Sequence, residues 1–309
     1  MKSFIAFVAA AALVLVLAAC GQPAPERQSI AATAAELGDF DTLLAALTEA
    51  ELAGTFAADD TGPFTVFAPT DAAFADLLAA LDLTPEELLA SEDLEAILTY
   101  HVLAGRFAPT ALIDAGVETT LQGLPLCFGA EAGALVVNDS NVVAGPVQAT
   151  NGVIYAIDAV LNPFDSIAGT AIAADDFEVL VAAVIAADLV EPLVCGGPFT
   201  VFAPTDEAFV ALLEALDVTA EDLLADVDLV TQVLLYHVVP GTLLASDVLA
   251  AVEAGDGSVD VETLQGDAIT VTAPEGVVLN GDVNVIATDV TARNGVIHVI
   301  DAVLLPSLD

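Results

Sequence analysis

The chain has 309 residues, of which 46 are acidic and 4 are basic, and its formal net charge at pH 7 is −42. The basic residues are Lys2, Arg27, Arg106 and Arg293, so no lysine follows residue 2. This composition excludes Schiff-base chemistry and a P-loop phosphate site, and it argues against nucleic-acid binding, because a polyanion is bound by cationic side chains that displace its counterions. Since 57% of the residues are apolar, we expect a folded protein with an acidic, solubilising surface.

The N-terminal residues predict an export signal. Residues 4–19 form an uninterrupted run of apolar and small residues, shorter than the roughly 20 that a membrane-spanning helix needs. The run ends in LAACG, which resembles the bacterial lipobox, in which a cysteine (here Cys20) is lipidated and becomes the mature N-terminus. An ordinary signal peptide with an incidental cysteine is the alternative. We predict a signal at 1–20, a tether at 21–30, and an exported chain held at the outer membrane or cell surface by its lipid alone.

The remaining sequence contains two copies of one pattern. The ten residues GPFTVFAPTD occur at 62–71 and again at 197–206. The match continues on both sides: DFDTLLAAL and DFEVLVAAV precede it, TYHVLAG and LYHVVPG follow, and NGVIYAIDAVLNP and NGVIHVIDAVLLP close the two copies. The offset between equivalent residues varies between 135 and 143 along the chain, so insertions fall in loops while the elements keep their order. We therefore predict two tandem domains, at 31–164 and 168–309.

Each copy begins with predicted helices and a buried strand. The first helix has apolar residues at i, i+3, i+4 and i+7, starting at Phe40. FTVFAP then predicts a strand that ends at its proline, and Thr70 and Asp71 are expected to cap the next helix. Thr84 starts a capping box with proline at the first helical position, and a further helix is predicted from Ser91 to Gly105.

The second half of each copy predicts strands, because alternating and β-branched residues are interrupted there by Gly, Asn and Pro. Helices early and strands late indicate an α+β domain with an antiparallel or mixed sheet sandwich.

These motifs also carry a family resemblance. TVFAPTDAAF and TVFAPTDEAF, the Tyr-His pair in mid-domain and the closing NGVIHVID resemble the fasciclin domain, in the same order in both copies. The resemblance implies a wedge-like β-sandwich of about seven strands per domain, with helices packed along one edge. It implies extracellular adhesion to a polysaccharide or protein ligand of the cell surface or matrix, and it brings no cofactor and no enzymatic reaction. A non-adhesive envelope protein that binds one specific partner is the alternative.

The resemblance nominates a binding surface, but the residues favour a structural role for its histidines. In animal relatives the Tyr-His region and the aspartate of the closing strand are associated with integrin binding. The matching residues here are Tyr100, His101, Tyr236, His237, Asp158 and Asp301. His101 and His237, however, continue the apolar faces of their helices, which predicts core histidines with backbone or carboxylate partners.

No catalytic or metal-binding pattern is present in the sequence. His298 is replaced by Tyr155 in the first copy, which argues against a catalytic histidine shared by both domains. The chain has no G-x-S-x-G, C-x-x-C or H-x-x-x-H motif. A pair of carboxylates is inevitable among so many acidic residues and is therefore no evidence of acid–base catalysis.

Cys127 and Cys195 are the two cysteines after Cys20, and neither has a counterpart in the other copy. In an exported protein, one cysteine per domain favours an interdomain disulfide. Two unpaired thiols, each packed as a small apolar side chain, are the alternative.

Overall fold

The computed structural model describes residues 27–58, 60–273 and 276–307. The predicted signal peptide and Cys20 lie outside these residues. The predicted α+β class and the tandem pair are confirmed, since each domain combines seven helices with one seven-stranded sheet in the described residues. The first helix begins at Ile30 in domain 1 and at Ile167 in domain 2, one residue before each predicted domain start.

The elements of domain 1 follow the predicted order. Its helices are α1 (Ile30–Leu37), α2 (Asp41–Glu49), α3 (Ala53–Ala57), α4 (Asp71–Leu81), α5 (Pro85–Leu89), α6 (Leu94–Tyr100) and α7 (Pro109–Ala115). Its strands are β1 (Phe64–Pro69), β2 (Val102–Ala104), β3 (Val117–Thr119), β4 (Pro125–Glu131), β5 (Ala134–Val137), β6 (Ser140–Ala149) and β7 (Gly152–Ile157).

Domain 2 repeats this order element by element. Its helices are α8 (Ile167–Ala173), α9 (Glu178–Ala186), α10 (Val190–Cys195), α11 (Asp206–Leu216), α12 (Ala220–Ala225), α13 (Val227–Tyr236) and α14 (Ala245–Ala254). Its strands are β8 (Phe199–Pro204), β9 (Val238–Pro240), β10 (Ser258–Glu262), β11 (Ala268–Thr272), β12 (Val278–Leu279), β13 (Val283–Ala292) and β14 (Gly295–Ile300).

One predicted helix ends earlier than expected. The helix predicted to reach Gly105 stops at Tyr100, and Val102–Ala104 forms β2 instead. The reason is tertiary: the backbone of β2 pairs with the first residues of β1, so Val102 lies opposite Val66.

Both sheets have the same strand order, β2-β1-β7-β6-β5-β4-β3 in domain 1 and its equivalent in domain 2. The repeated TVFAP strand pairs in parallel with the closing strand, β1 with β7 and β8 with β14, and the other neighbouring strands whose register is defined are antiparallel. The parallel pair therefore joins the start of each sequence motif to its end.

Strand β1 is buried on both faces, which explains its continuous apolar sequence. Because successive side chains of a strand point to opposite faces, Val66 and Ala68 pack against the helices, in a cluster with Leu98. Phe67 points the other way, into a second cluster with Leu126 of β4. The sheet thus separates two apolar cores in each domain.

Candidate functional site

The repeated Thr-Asp pair has a structural role that involves two helices. Thr70 is the N-cap of α4 and its hydroxyl accepts a hydrogen bond from the amide of Ala73. Asp71 was expected to cap the same helix, but its carboxylate caps α2, accepting the amides of Asp41 at 3.2 Å and Thr42 at 2.8 Å. Burial would raise the pKa of Asp71, but these hydrogen bonds outweigh it and the pKa is lowered. The pair therefore joins two helices that are distant in sequence.

Domain 2 repeats this arrangement. Thr205 caps α11, and the carboxylate of Asp206 accepts the amides of Glu178 and Val179 of α9. The duplicated motif is therefore accounted for by scaffold contacts in both copies.

The Tyr-His pairs lie in the core. Tyr100 is 1% exposed and His101 is 2% exposed, and Tyr236 and His237 are similarly buried. These four side chains cannot form the ligand-contacting surface that the family resemblance nominated, because solvent does not reach them. This expectation is therefore corrected for these four residues.

Each buried histidine is held in one neutral tautomer. Nδ1 of His101 donates to the carbonyl of Ile97 at 2.7 Å, and Nε2 accepts the amide of Leu161 at 2.9 Å. His237 makes the same two contacts, with Val233 and Leu304. Burial lowers the pKa of both histidines to about 4. The sequence-based prediction of core histidines with backbone partners is confirmed.

Each buried tyrosine fixes a hairpin of the sheet. The hydroxyl of Tyr100 donates to the carbonyl of Pro125 at 2.9 Å and accepts the side-chain amide of Asn138. Tyr236 does the same with Ala268 and Asn280. Burial raises the pKa of Tyr100 to about 12, so this hydroxyl stays protonated as a donor.

Asp158 and Asp301 are the exposed members of the nominated surface. The carboxylate of Asp158 accepts the backbone and side-chain amides of Asn141, at 2.7 and 2.8 Å, and Asp301 binds Asn284 in the same way. Burial would raise the pKa of Asp158, but its hydrogen bonds outweigh that effect and the pKa is lowered. The structure does not bring these carboxylates together with the Tyr-His side chains on a surface.

The Asn of each closing NGV motif joins three parts of its domain, a role that the sequence analysis missed. The Asn151 side chain accepts the amide of Ile30, at the start of α1, and donates to the carbonyls of Phe56 and Ala58 after α3. Asn294 makes the equivalent contacts with Ile167 and with carbonyls at the end of α10. The repetition of the Asn-Gly pair was the sequence signal for this role.

The junction between the domains is covalent. Cys127 of β4 and Cys195, the last residue of α10, form a disulfide. Cys127 also packs against the apolar core of domain 2, while Val190 of α10 packs against that of domain 1. Helix α10 therefore contacts domain 1 through both its first turn and its last residue.

Arg293 adds a polar contact to the junction. Its guanidinium lies 3.3 Å from the carboxylate of Asp165, between the domains, and 3.7 Å from that of Asp139 in domain 1. Burial raises the pKa of Asp165, and the nearby charge of Arg293 offsets part of that rise. Arg293 also donates to the carbonyl of Val194.

The two arginines within the domains are thus engaged in scaffold contacts, since Arg106 donates to the carbonyls of Ala149, Thr150 and Gly152. Among the described residues, no group of three or more His, Cys, Asp or Glu side chains is arranged to hold a metal ion. In that same part of the chain, no helix is both long and apolar enough to cross a bilayer.

Comparison with known proteins identifies relatives of both halves. The family model of the fasciclin domain matches residues 38–163 and 175–306. Protein sll1483 of Synechocystis is 48% identical over 136 residues, which cover 43% of this chain and 69% of that protein. Human periostin is 27% identical over 80% of this chain and 28% of its own length. Cell surface glycolipoprotein MPB83 of Mycobacterium bovis is 45% identical over 33% of this chain and 44% of its own length.

This chain therefore spans under a third of periostin and under half of MPB83. Among solved structures, a FAS1 domain pair from the insect cell adhesion molecule Fasciclin I is similar. That pair is 20% identical, with a TM-score of 0.42, over 88% of this chain and 98% of its own.

Proposed function

This chain belongs to the fasciclin domain family, and from that premise we propose that it is a lipid-anchored extracytoplasmic binding protein that mediates cell or matrix adhesion. The proposal rests chiefly on the bridged junction. A disulfide between the domains and an apolar contact on each side of it hold the two domains in one orientation, which suits a single composite binding surface. Relatives named as periostin and as a cell surface glycolipoprotein are consistent with an extracellular or surface location.

The ligand class follows from charge. The formal net charge is −42, and Arg106 and Arg293 are committed to scaffold carbonyls and carboxylates. A polyanionic ligand such as nucleic acid or a sulfated glycan would be repelled. We therefore propose a neutral polysaccharide or a protein of the cell surface or matrix, with Asp158 and Asp301 as exposed positions at which to probe the surface.

The proposed anchor is Cys20, and no protein contact with the membrane is invoked beyond its lipid. A Cys20→Ser variant is expected to move from the detergent phase to the aqueous phase of a Triton X-114 partition. Wild-type protein that partitions into the aqueous phase would contradict the anchor without bearing on adhesion.

Adhesion is tested with beads that carry the chain from Gln22 onward. Beads are counted on source cells and on their extracted matrix, with and without calcium, across a salt series. We expect saturable binding, and we expect the Cys127→Ser/Cys195→Ser variant to bind more weakly, because its domains are no longer held in one orientation.

The control is the single Asp139→Asn variant, which keeps the disulfide and loses one exposed ion pair. It should bind as the wild type does. An absence of saturable binding at every salt concentration would reject adhesion and favour a non-adhesive envelope protein with one specific partner.

A further inference from the structure

Domain 2 contains an apolar pocket of about 320 Å³. It lies among α11, α12, α13 and the C-terminal segment after β14. Its lining includes Phe209, Leu212, Leu223, Val233 and Leu305. Pockets of about 300 Å³ and more are the size that proteins use to bind small molecules.

The pocket exists because α12 is not packed as its counterpart in domain 1 is packed. In domain 1 the equivalent helix α5 inserts Leu88, which is 5% exposed, into the core beside Leu98. In domain 2 the matching Leu223 is only half-buried, and α12 buries no residue completely. The same leucine therefore fills the core in one domain and lines a pocket in the other.

The difference coincides with a one-residue insertion in domain 2. Leu223 follows Leu88 by 135 positions, but Tyr236 follows Tyr100 by 136, so domain 2 has one extra residue between these points. Asp226 ends α12 and also caps α13, which begins at once. Helix α13 has ten residues where α6 has seven, and Leu223 and Leu224 of α12 pack against the core of domain 2 without being fully buried in it.

Two substitutions extend the apolar lining. Leu229 stands seven residues before Tyr236, where domain 1 has Asp93 seven residues before Tyr100. Leu305 stands where the closing motif of domain 1 has Asn162. Both leucines line the pocket, so domain 2 is apolar at two positions that are polar in domain 1.

The lining restricts the chemistry of a ligand. His237 borders the pocket, but its two ring nitrogens are bound to Val233 and Leu304, and no buried side-chain polar atom among the described residues lacks a partner. A ligand therefore finds no free hydrogen-bonding side chain inside. An engineered apolar cavity of about 150 Å³ holds benzene, so a pocket twice that size accommodates a larger molecule.

The surroundings restrict the charge of a ligand. The exposed residues on and between the helices that line the pocket include Asp217, Asp222, Asp226 and Asp228, and residues 107–292 contain no lysine or arginine. An anionic headgroup would meet repulsion and no cationic partner. We propose that this pocket binds an uncharged apolar molecule, of the size of a two-ring aromatic or a medium-length alkyl chain.

Binding is measured by titrating the disulfide-intact protein with 1-N-phenylnaphthylamine, a neutral two-ring probe with an additional phenyl group whose fluorescence rises in apolar surroundings. We expect saturable binding at one site. Decanol should displace the probe at least tenfold more effectively than decanoate, because only the alcohol lacks a charge.

The matched variants are Leu212→Trp and Leu77→Trp, at equivalent half-buried positions of α11 and α4. The first fills the pocket and should weaken probe binding by about tenfold or more, and the second should change it less than about twofold. Because the native chain has no tryptophan, the emission of each new tryptophan also reports whether its domain is folded.

A second pair of changes does not depend on filling the core. The double variant Leu229→Asp/Leu305→Asn places the domain 1 residues at a half-buried position, 229, and at an exposed one, 305. It should weaken probe binding severalfold. Absence of saturable probe binding would overturn the proposal, as would equal losses in the two tryptophan variants. Probe binding that the Leu229→Asp/Leu305→Asn variant retains in full would also overturn it.

Discussion

Tyr155 of domain 1 and His298 of domain 2 occupy the same place in the two sheets. Each lies opposite a phenylalanine of the parallel neighbour and stacks on it, Phe67 at 5.6 Å and Phe202 at 5.7 Å between ring centroids. The Tyr155 hydroxyl donates to the carbonyl of Phe107, and Nε2 of His298 donates to the matching carbonyl of Leu243, both at 2.8 Å. A tyrosine and a histidine thus make the same stacking contact and the same hydrogen bond to a backbone carbonyl.

Leu88 and Leu223 present the opposite case, since identical residues at equivalent positions have different surroundings. The two comparisons teach that the two domains keep one contact geometry where strands of the sheet meet, and differ at the short helices α5 and α12. The expected effects below test how far the two domains are equivalent.

The largest expected effect is at the paired asparagines. Asn151→Ala should destabilise domain 1 by about 4 kcal/mol, because it leaves one amide and two carbonyls without their partner. Asn294→Ala should have an effect of the same order in domain 2. Hydrogen exchange followed by mass spectrometry resolves the two domains. Loss of protection in one variant only would break the equivalence of the domains.

The buried histidines should make stability depend on pH in both domains. Their folded pKa of about 4 lies below the unfolded value of 6.5, so the unfolded chain binds more protons between these pH values. The contribution of each neutral histidine to the free energy of unfolding is therefore fully present above pH 6.5. It is lost as the pH falls towards 4, by about 3 kcal/mol per histidine. Urea unfolding at several pH values measures this loss.

The control for the pH effect is the His101→Gln/His237→Gln variant, whose amides are able to donate and accept without titrating. Protonation of the carboxylates relieves charge repulsion over part of the same range in both proteins, so the difference between them isolates the histidines. Identical pH profiles for the two proteins would contradict the assignment.

Tyrosine and histidine should substitute for each other at positions 155 and 298, whereas a residue without a hydrogen-bond donor should destabilise the domain. Tyr155→Phe removes one hydrogen bond to a carbonyl and should cost about 1 kcal/mol. His298→Phe removes the equivalent bond and also the longer one, at 3.3 Å, that Nδ1 accepts from the amide of Asp289, so it should cost somewhat more. His298→Tyr should restore most of the loss in domain 2, because tyrosine makes this contact in domain 1. Thermal unfolding compares the three variants, and a His298→Tyr protein no more stable than His298→Phe would show that the two sites are not equivalent.

The smallest expected effect is at the aspartates that cap a distant helix. Asp71→Ala and Asp206→Ala should each cost roughly 0.5–1 kcal/mol, because the amides at the start of α2 or α9 lose an anionic acceptor. Asp71→Asn keeps an acceptor oxygen and should cost less. The measurement is amide exchange at Asp41 and Thr42, and unchanged rates there would contradict the cap.

Much of the fold was predictable, because its determinants are local. The duplicated FTVFAP predicts a strand buried on both faces, and Thr84 predicts a capping box that is present at α5. The short helix α1 was not predicted, because it is held on the sheet by a contact that is distant in sequence, in which the amide of Ile30 donates to the side chain of Asn151. The end of α6 was missed because β2 is stabilised by pairing with β1, a contact that no local pattern records.

The nominated surface was predicted less well. Helical spacing correctly placed His101 and His237 in the core, whereas the family resemblance placed them with the tyrosines on a surface. The bond between Cys127 and Cys195 is present in the structure, and its partners were inferred from their number and distribution. Arg293 gave no sequence signal, because its partners Asp139 and Asp165 are two among many acidic residues.

The sequence by itself determined the duplication, the order of elements in each copy and the acidic charge, because each is a property of composition or short-range pattern. Only the tertiary structure decided that Asp71 caps a helix thirty residues away, that the Tyr-His pairs are inaccessible, and that one domain closes over its leucine while the other leaves a pocket. These features depend on which side chains meet in space, which no short-range pattern in the sequence records.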